Sequence, residues 1–125
     1  MRNATFKQLN GFDTDFFVYY EDLDLSKRIA KIKKEIYYNS DIKIYHETGG
    51  TSKNIKAIRL FYSLDALIIY TQKHLSPLHS IIIRTSILFL EPILRLTKSI
   101  LSLNKIETQN IFKTYKMLYK KRLFN

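Results

Sequence analysis

Three carboxylates, Glu21, Asp22 and Asp24, stand within four residues of one another in the stretch FFVYYEDLDLSKRI, in a chain of 125 residues whose formal net charge is +10. Crowded carboxylates repel one another, so a cluster of this kind has a cation, a helix terminus or a reaction to serve. Three histidines, His46, His74 and His79, are the other residues whose chemistry bears on a site. The chain has no cysteine, which removes disulfides, thiolate metal sites and thiol nucleophiles and permits a reducing cytoplasm. His74 and His79 flank LSPL, where a metal would need a third ligand that the neighbouring sequence does not offer, so they are expected to be solvent-facing polar residues.

The elements that must position these groups follow from turn chemistry and periodicity. Asn10-Gly11 begins NGFDTDFF, read as a turn and an aromatic loop that docks on a core. From Asp22, the residues Leu25, Ile29 and Ile32 recur at spacings of four and three, predicting an amphipathic helix with Lys27, Arg28, Lys31 and Lys34 largely outside. Its acids lie at the start and its bases toward the end, as the macrodipole favours. EIYY and IKIY read as two short strands broken by NSD, His46 ends the second, and ETGGTS follows as a loop. Beyond it the chain is expected to be helical. Asn54 is placed to cap a helix through about His74, and Pro77 suits the first turn of a helix that runs to Leu103 with a kink near Pro92. A basic helix covers roughly Glu107 to Leu118.

Charge divides the chain in two. Residues 1–50 carry eight Lys/Arg and eight Asp/Glu, whereas residues 51–125 carry thirteen against three. A basic surface of that kind attracts phosphate on nucleic acid or on anionic lipid. With 46% hydrophobic residues the chain has the means to form a packed core. No signal peptide or membrane span is legible, since Arg84, Glu91, Arg95 and Lys98 interrupt the most apolar region, residues 78–103.

The residues Gly11-Phe12-Asp13, Phe16-Phe17, Tyr19, Glu21-Asp22, Asp24-Leu25 and Arg28, followed by His46, Gly49, Gly50 and Ser52, resemble the family 2 glycosyltransferases, in particular the rhamnosyltransferase-like branch that builds bacterial surface polysaccharides. The resemblance runs from about Thr5 to Ser52. It implies an α/β fold: the C-terminal part of a GT-A type nucleotide-sugar transferase, with two short strands and an amphipathic helix in residues 1–52 at the acceptor side of the catalytic domain, and a mainly helical basic tail in residues 53–125. It also implies an inverting sugar transfer from a nucleotide sugar to a glycan or lipid-linked acceptor. Asp22 would be the general base, because a sugar hydroxyl is a poor nucleophile until its proton is accepted. Glu21 and Asp24 would support it, partly by like-charge proximity. By the same resemblance His46 would bind the divalent cation, Mg or Mn, that holds the sugar-nucleotide diphosphate in the complete enzyme, and the amides around Gly49, Gly50 and Ser52 would close over the phosphates.

This chain departs from the family at Lys33, where the family has a glycine, so a left-handed cap there costs on the order of 1 kcal/mol. The family's nucleotide-binding half, with its Asp-x-Asp motif, has no counterpart in these 125 residues. The expectation is therefore a fragment that begins at an internal methionine, has its matching half encoded upstream, is inactive alone and binds no cofactor tightly by itself. It would be cytoplasmic, with the basic tail peripheral at the inner face of the cell membrane. The alternative is a small basic helical protein that binds membranes or nucleic acid, for which FKTYKMLYKKRLF is the main argument; nucleic acid is the less favoured partner.

Overall fold

The computed structural model of the protein describes residues 3–37, 39–43, 45 and 55–124. Six α-helices follow one another: α1 Asn3–Gln8, α2 Glu21–Lys31, α3 Lys56–His74, α4 Pro77–Thr85, α5 Glu91–Leu101 and α6 Lys105–Leu123. A π-helical turn, Ser86–Leu90, joins α4 to α5 without a break. No strand occurs among the described residues.

The α/β expectation is therefore corrected: the described fold is all-helical. The stretches read as strands, EIYY and IKIY, are irregular at each of their described positions. Alternating apolar and aromatic residues satisfy the strand pattern, but a two-stranded hairpin is marginal without a sheet or helix to cover its apolar face. Here Ile36, Tyr37, Ile42 and Tyr45 are all exposed.

The core forms where α3, the π turn and α6 meet. Leu64 and Ile68 of α3 are one turn apart, as are Ile111, Tyr115 and Leu118 of α6, so each helix presents one apolar stripe. Ile87 and Leu88 of the π turn fill the space between those stripes. Polar ties fix the register. Thr114, fully buried, donates to the carbonyl of Ala57 at 2.9 Å. Asp65, buried on α3, accepts from Lys121 Nζ at 2.8 Å and Arg122 Nε at 2.6 Å. The Arg122 carbonyl in turn accepts from Arg84 at 3.0 Å, which ties α4 to the end of α6.

Pro77 stands at the first helical position of α4, and the Ser76 side chain caps the helix by accepting from the His79 amide. In place of the kink expected near Pro92, the structure has a π turn, Ser86–Leu90, just before the proline. Proline has no N–H to give the carbonyl of Leu88 four residues back, and the Tyr119 hydroxyl donates to that carbonyl instead at 2.6 Å. The last helix is longer than its periodicity suggests, because the Asn104 side chain caps it by accepting from the Glu107 amide and its basic end is held by Asp65. Asn54, expected to cap α3, lies outside the described residues.

Candidate functional site

The segment that carries the carboxylates is built around one glycine and one buried acid. Gly11 has φ of 71°, a conformation that favours glycine, and a Cβ there would press on the ring of Phe6 at 3.2 Å. Its carbonyl accepts from Arg28 Nη2 at 2.9 Å, while Arg28 Nη1 donates to the carbonyl of Leu9 at 2.7 Å. Arg28 therefore turns inward to staple the loop to α2, where the periodicity placed it outside.

Asp24 is the centre of this arrangement. It is 1% exposed, accepts from Arg28 Nε at 2.7 Å, and accepts from His74 Nε2 of α3 at 2.7 Å. A carboxylate only accepts, so the proton sits on Nε2 and leaves Nδ1 facing Lys31 Nζ at 3.5 Å. His74 is buried rather than solvent-facing, with its ring tilted against Tyr70 at 4.8 Å. An arginine and a histidine from two helices satisfy an acid that would otherwise be costly to bury. Asp24 is thus a positioning residue, and its partner is not legible from its neighbours because His74 lies fifty residues away.

A second latch holds the preceding loop to α3. Lys73 Nζ lies 2.5 Å from Asp13 and 2.6 Å from Asp15, and sits over the Phe16 ring at 5.5 Å. The hydrogen bond from Lys73, and after it the one from the Asp15 amide, holds the Asp13 carboxyl below its ordinary value. Of the aromatic patch, Phe16 is buried, while Phe17 is largely exposed and packs against Tyr62, with ring centroids 4.8 Å apart.

Backbone strain sits just before the acids. Tyr19 and Tyr20 both have left-handed φ, 69° and 67°, and neither is a glycine. Each such conformation costs about 1–2 kcal/mol for an L-residue. Tyr20 packs on Tyr70 at 5.5 Å, and the Tyr19 hydroxyl accepts from Arg59 at 3.3 Å, so contacts with α3 hold the strained pair in place. Strain of this kind persists where surrounding structure imposes it, and it gathers at sites.

Asp22 follows directly and is the carboxylate that faces outward. It is exposed and lines a groove of about 830 Å³ together with Phe12, Ser26, Ile29, Lys33 and Tyr37. Its side chain accepts from the Leu23 amide at 2.8 Å. Glu21 is only partly exposed, and its Oε2 is buried without a hydrogen-bond partner among the described residues. The structure thus separates the three acids: Asp24 is buried and paired, Glu21 is half-buried, and Asp22 opens onto the groove. Lys33, which also lines the groove, has φ of 56°, as a left-handed cap at that position requires.

His46, Gly49, Gly50 and Ser52 lie outside the described residues. Among the described residues no group of three or more His, Asp or Glu comes together to hold a metal ion. No family model matches the chain. Neither a curated protein nor a solved structure matches it either. The resemblance to the family 2 transferases therefore rests on the residues between Thr5 and Ser52.

Proposed function

We propose that this chain carries the acceptor-side base of an inverting glycosyltransferase, with Asp22 as the group that takes the acceptor proton. As the acceptor oxygen bonds to the anomeric carbon, its proton passes to the Asp22 carboxylate and the nucleoside diphosphate leaves with the bonding pair, inverting the configuration. The observation that carries this reading is the division of labour on α2. Asp24 spends its lone pairs on Arg28 and His74, which leaves Asp22, two residues earlier, as an exposed carboxylate on an open groove. Left-handed Tyr19 and Tyr20 set the helix start behind it. A divalent cation, Mg or Mn, would neutralise the diphosphate in the complete enzyme, with His46 the residue of this chain that the resemblance gives to it.

Donor binding belongs to a nucleotide-sugar half beyond these residues. Purified alone, the chain should form no product from a panel of nucleotide sugars. Co-expressed with a half encoded upstream, it should show transfer that falls about a hundredfold or more on Asp22→Asn, the scale of a lost general base. Transfer that survives the substitution with only a raised KM would remove Asp22 from the chemistry.

A further inference from the structure

A long exposed apolar surface lies away from the Asp22 groove, on the continuous helix formed by α4, the π turn and α5. That helix, Pro77–Leu101, has the length and composition of a membrane span, with mean hydropathy 1.3 over its most apolar window, yet only 22% of that window is buried. The charges lower the average, but an 18-residue window stays apolar despite them, which uncharged runs alone concealed. Ile81, Ile82, Phe89, Leu90, Ile93 and Leu94 are each more than half exposed.

These residues form one straight stripe because of the π turn. From Leu78 to Leu101 an ideal α-helix would turn about 140° beyond whole turns, and the stripe would wind round onto the buried side. One extra residue taken up by the π turn removes about 100° of that rotation. The buried side is thereby kept in register too, with Ser80, Ile87, Leu88, Pro92 and Ser99 facing the bundle.

We propose that the exposed face of α4, the π turn and α5 is a bilayer-docking surface that lies in the plane of an anionic membrane interface. Three features select a bilayer as its occupant. The helix is about 37 Å long with its apolar residues along one side, which suits an extended plane. Its charges are kept off the stripe: Arg84 donates to the Arg122 carbonyl, and Arg95 pairs with Glu91 at 2.6 Å. The surrounding chain is basic, thirteen Lys/Arg against three Asp/Glu after residue 50, and Lys98, Lys105, Lys113 and Lys116 are exposed without an ion pair among the described residues. A full crossing is disfavoured, because it would take Arg84, Glu91, Arg95 and Lys98 out of water and strip Ile87 and Leu88 from the core. The inference does not rest on the transferase reading.

The test is co-sedimentation of the full chain with vesicles of phosphatidylcholine alone and of phosphatidylcholine mixed with phosphatidylserine, across a salt series. Binding should favour the anionic vesicles, weaken with salt and persist in part at high salt. The double substitution Phe89→Glu, Ile93→Glu changes two exposed positions, so circular dichroism should be unaltered while vesicle binding falls about tenfold or more. Unchanged vesicle binding by that variant would overturn the proposal. So would a parent chain that ignores vesicles, whether it dimerises through the stripe, with the variant monomeric by sedimentation, or binds duplex DNA instead.

Discussion

The two ends of the molecule are held together by different physics. The bundle of α3, the π turn and α6 rests on interlocked apolar side chains, Leu64, Ile68, Ile87, Leu88, Ile111 and Leu118. The segment from α1 through α2 buries little beyond Phe16 and Leu25, and is fastened to α3 by the Asp24–His74 bond, the Lys73 pairs with Asp13 and Asp15, and the Arg28 staple. Apolar burial is non-directional and tolerates small shifts, whereas charged hydrogen bonds fix atoms at set distances. The candidate base lies in the part fixed by direction, and the bundle supplies the anchor for it.

Substitutions can break this contrast from either side. Leu118→Ala, at a fully buried position, should cost up to about 5 kcal/mol and lower the urea midpoint for every probe together, because it opens a cavity in the shared core. Asp24→Ala should act locally. Leaving Arg28 and His74 without their acid should cost about 3 kcal/mol of docking, read as lost amide protection in α2 while α3 and α6 keep theirs. Lys33→Gly should stabilise by about 1 kcal/mol, since it relieves a left-handed residue with a side chain, and a gain in thermal midpoint would register it.

The smallest effect is the pH dependence of the second latch. Asp13 is lowered from its ordinary 3.8, so its contribution is whole above that value and fades as pH falls through the lower folded one. Burial pulls the Lys73 ammonium down, but hydrogen bonds to Asp13 and Asp15 outweigh it and raise the group above 10.5, so its contribution is lost only as pH rises past that point. Both side chains are partly exposed, so the pair should be worth about 1 kcal/mol or less. Protection of the 12–17 loop should be flat between pH 5 and 9 and fall below about pH 3.8. Lys73→Met should flatten that acid limb.

What could be read from the sequence was local. The spacing of Leu25, Ile29 and Ile32 located α2, and Pro77 marked a helix start. Each of these depends on a few adjacent residues. The α1 helix was not seen, being six residues with neither a capping signal nor a full period. The two strands were read from a pattern that exposed loop residues also satisfy, since alternation carries no information about whether a sheet exists to receive it. Long-range polar pairs were equally invisible: neither His74 as the partner of Asp24 nor Arg122 as the partner of Asp65 is signalled by its neighbours. Of the candidate site, the acids were identified as a group, but only the fold distinguishes the buried acid from the exposed one.

That distinction is tested most directly by comparing Asp22→Asn with Asp24→Asn in the proposed transferase, the chain co-expressed with a candidate nucleotide-sugar half, reading turnover and α2 amide protection together. Asp22→Asn should lower kcat about a hundredfold or more with α2 protection unchanged. Asp24→Asn should lower α2 protection first, with activity falling only as far as the segment undocks. Full turnover in Asp22→Asn, beside a loss of turnover in Asp24→Asn with α2 still protected, would contradict that distinction.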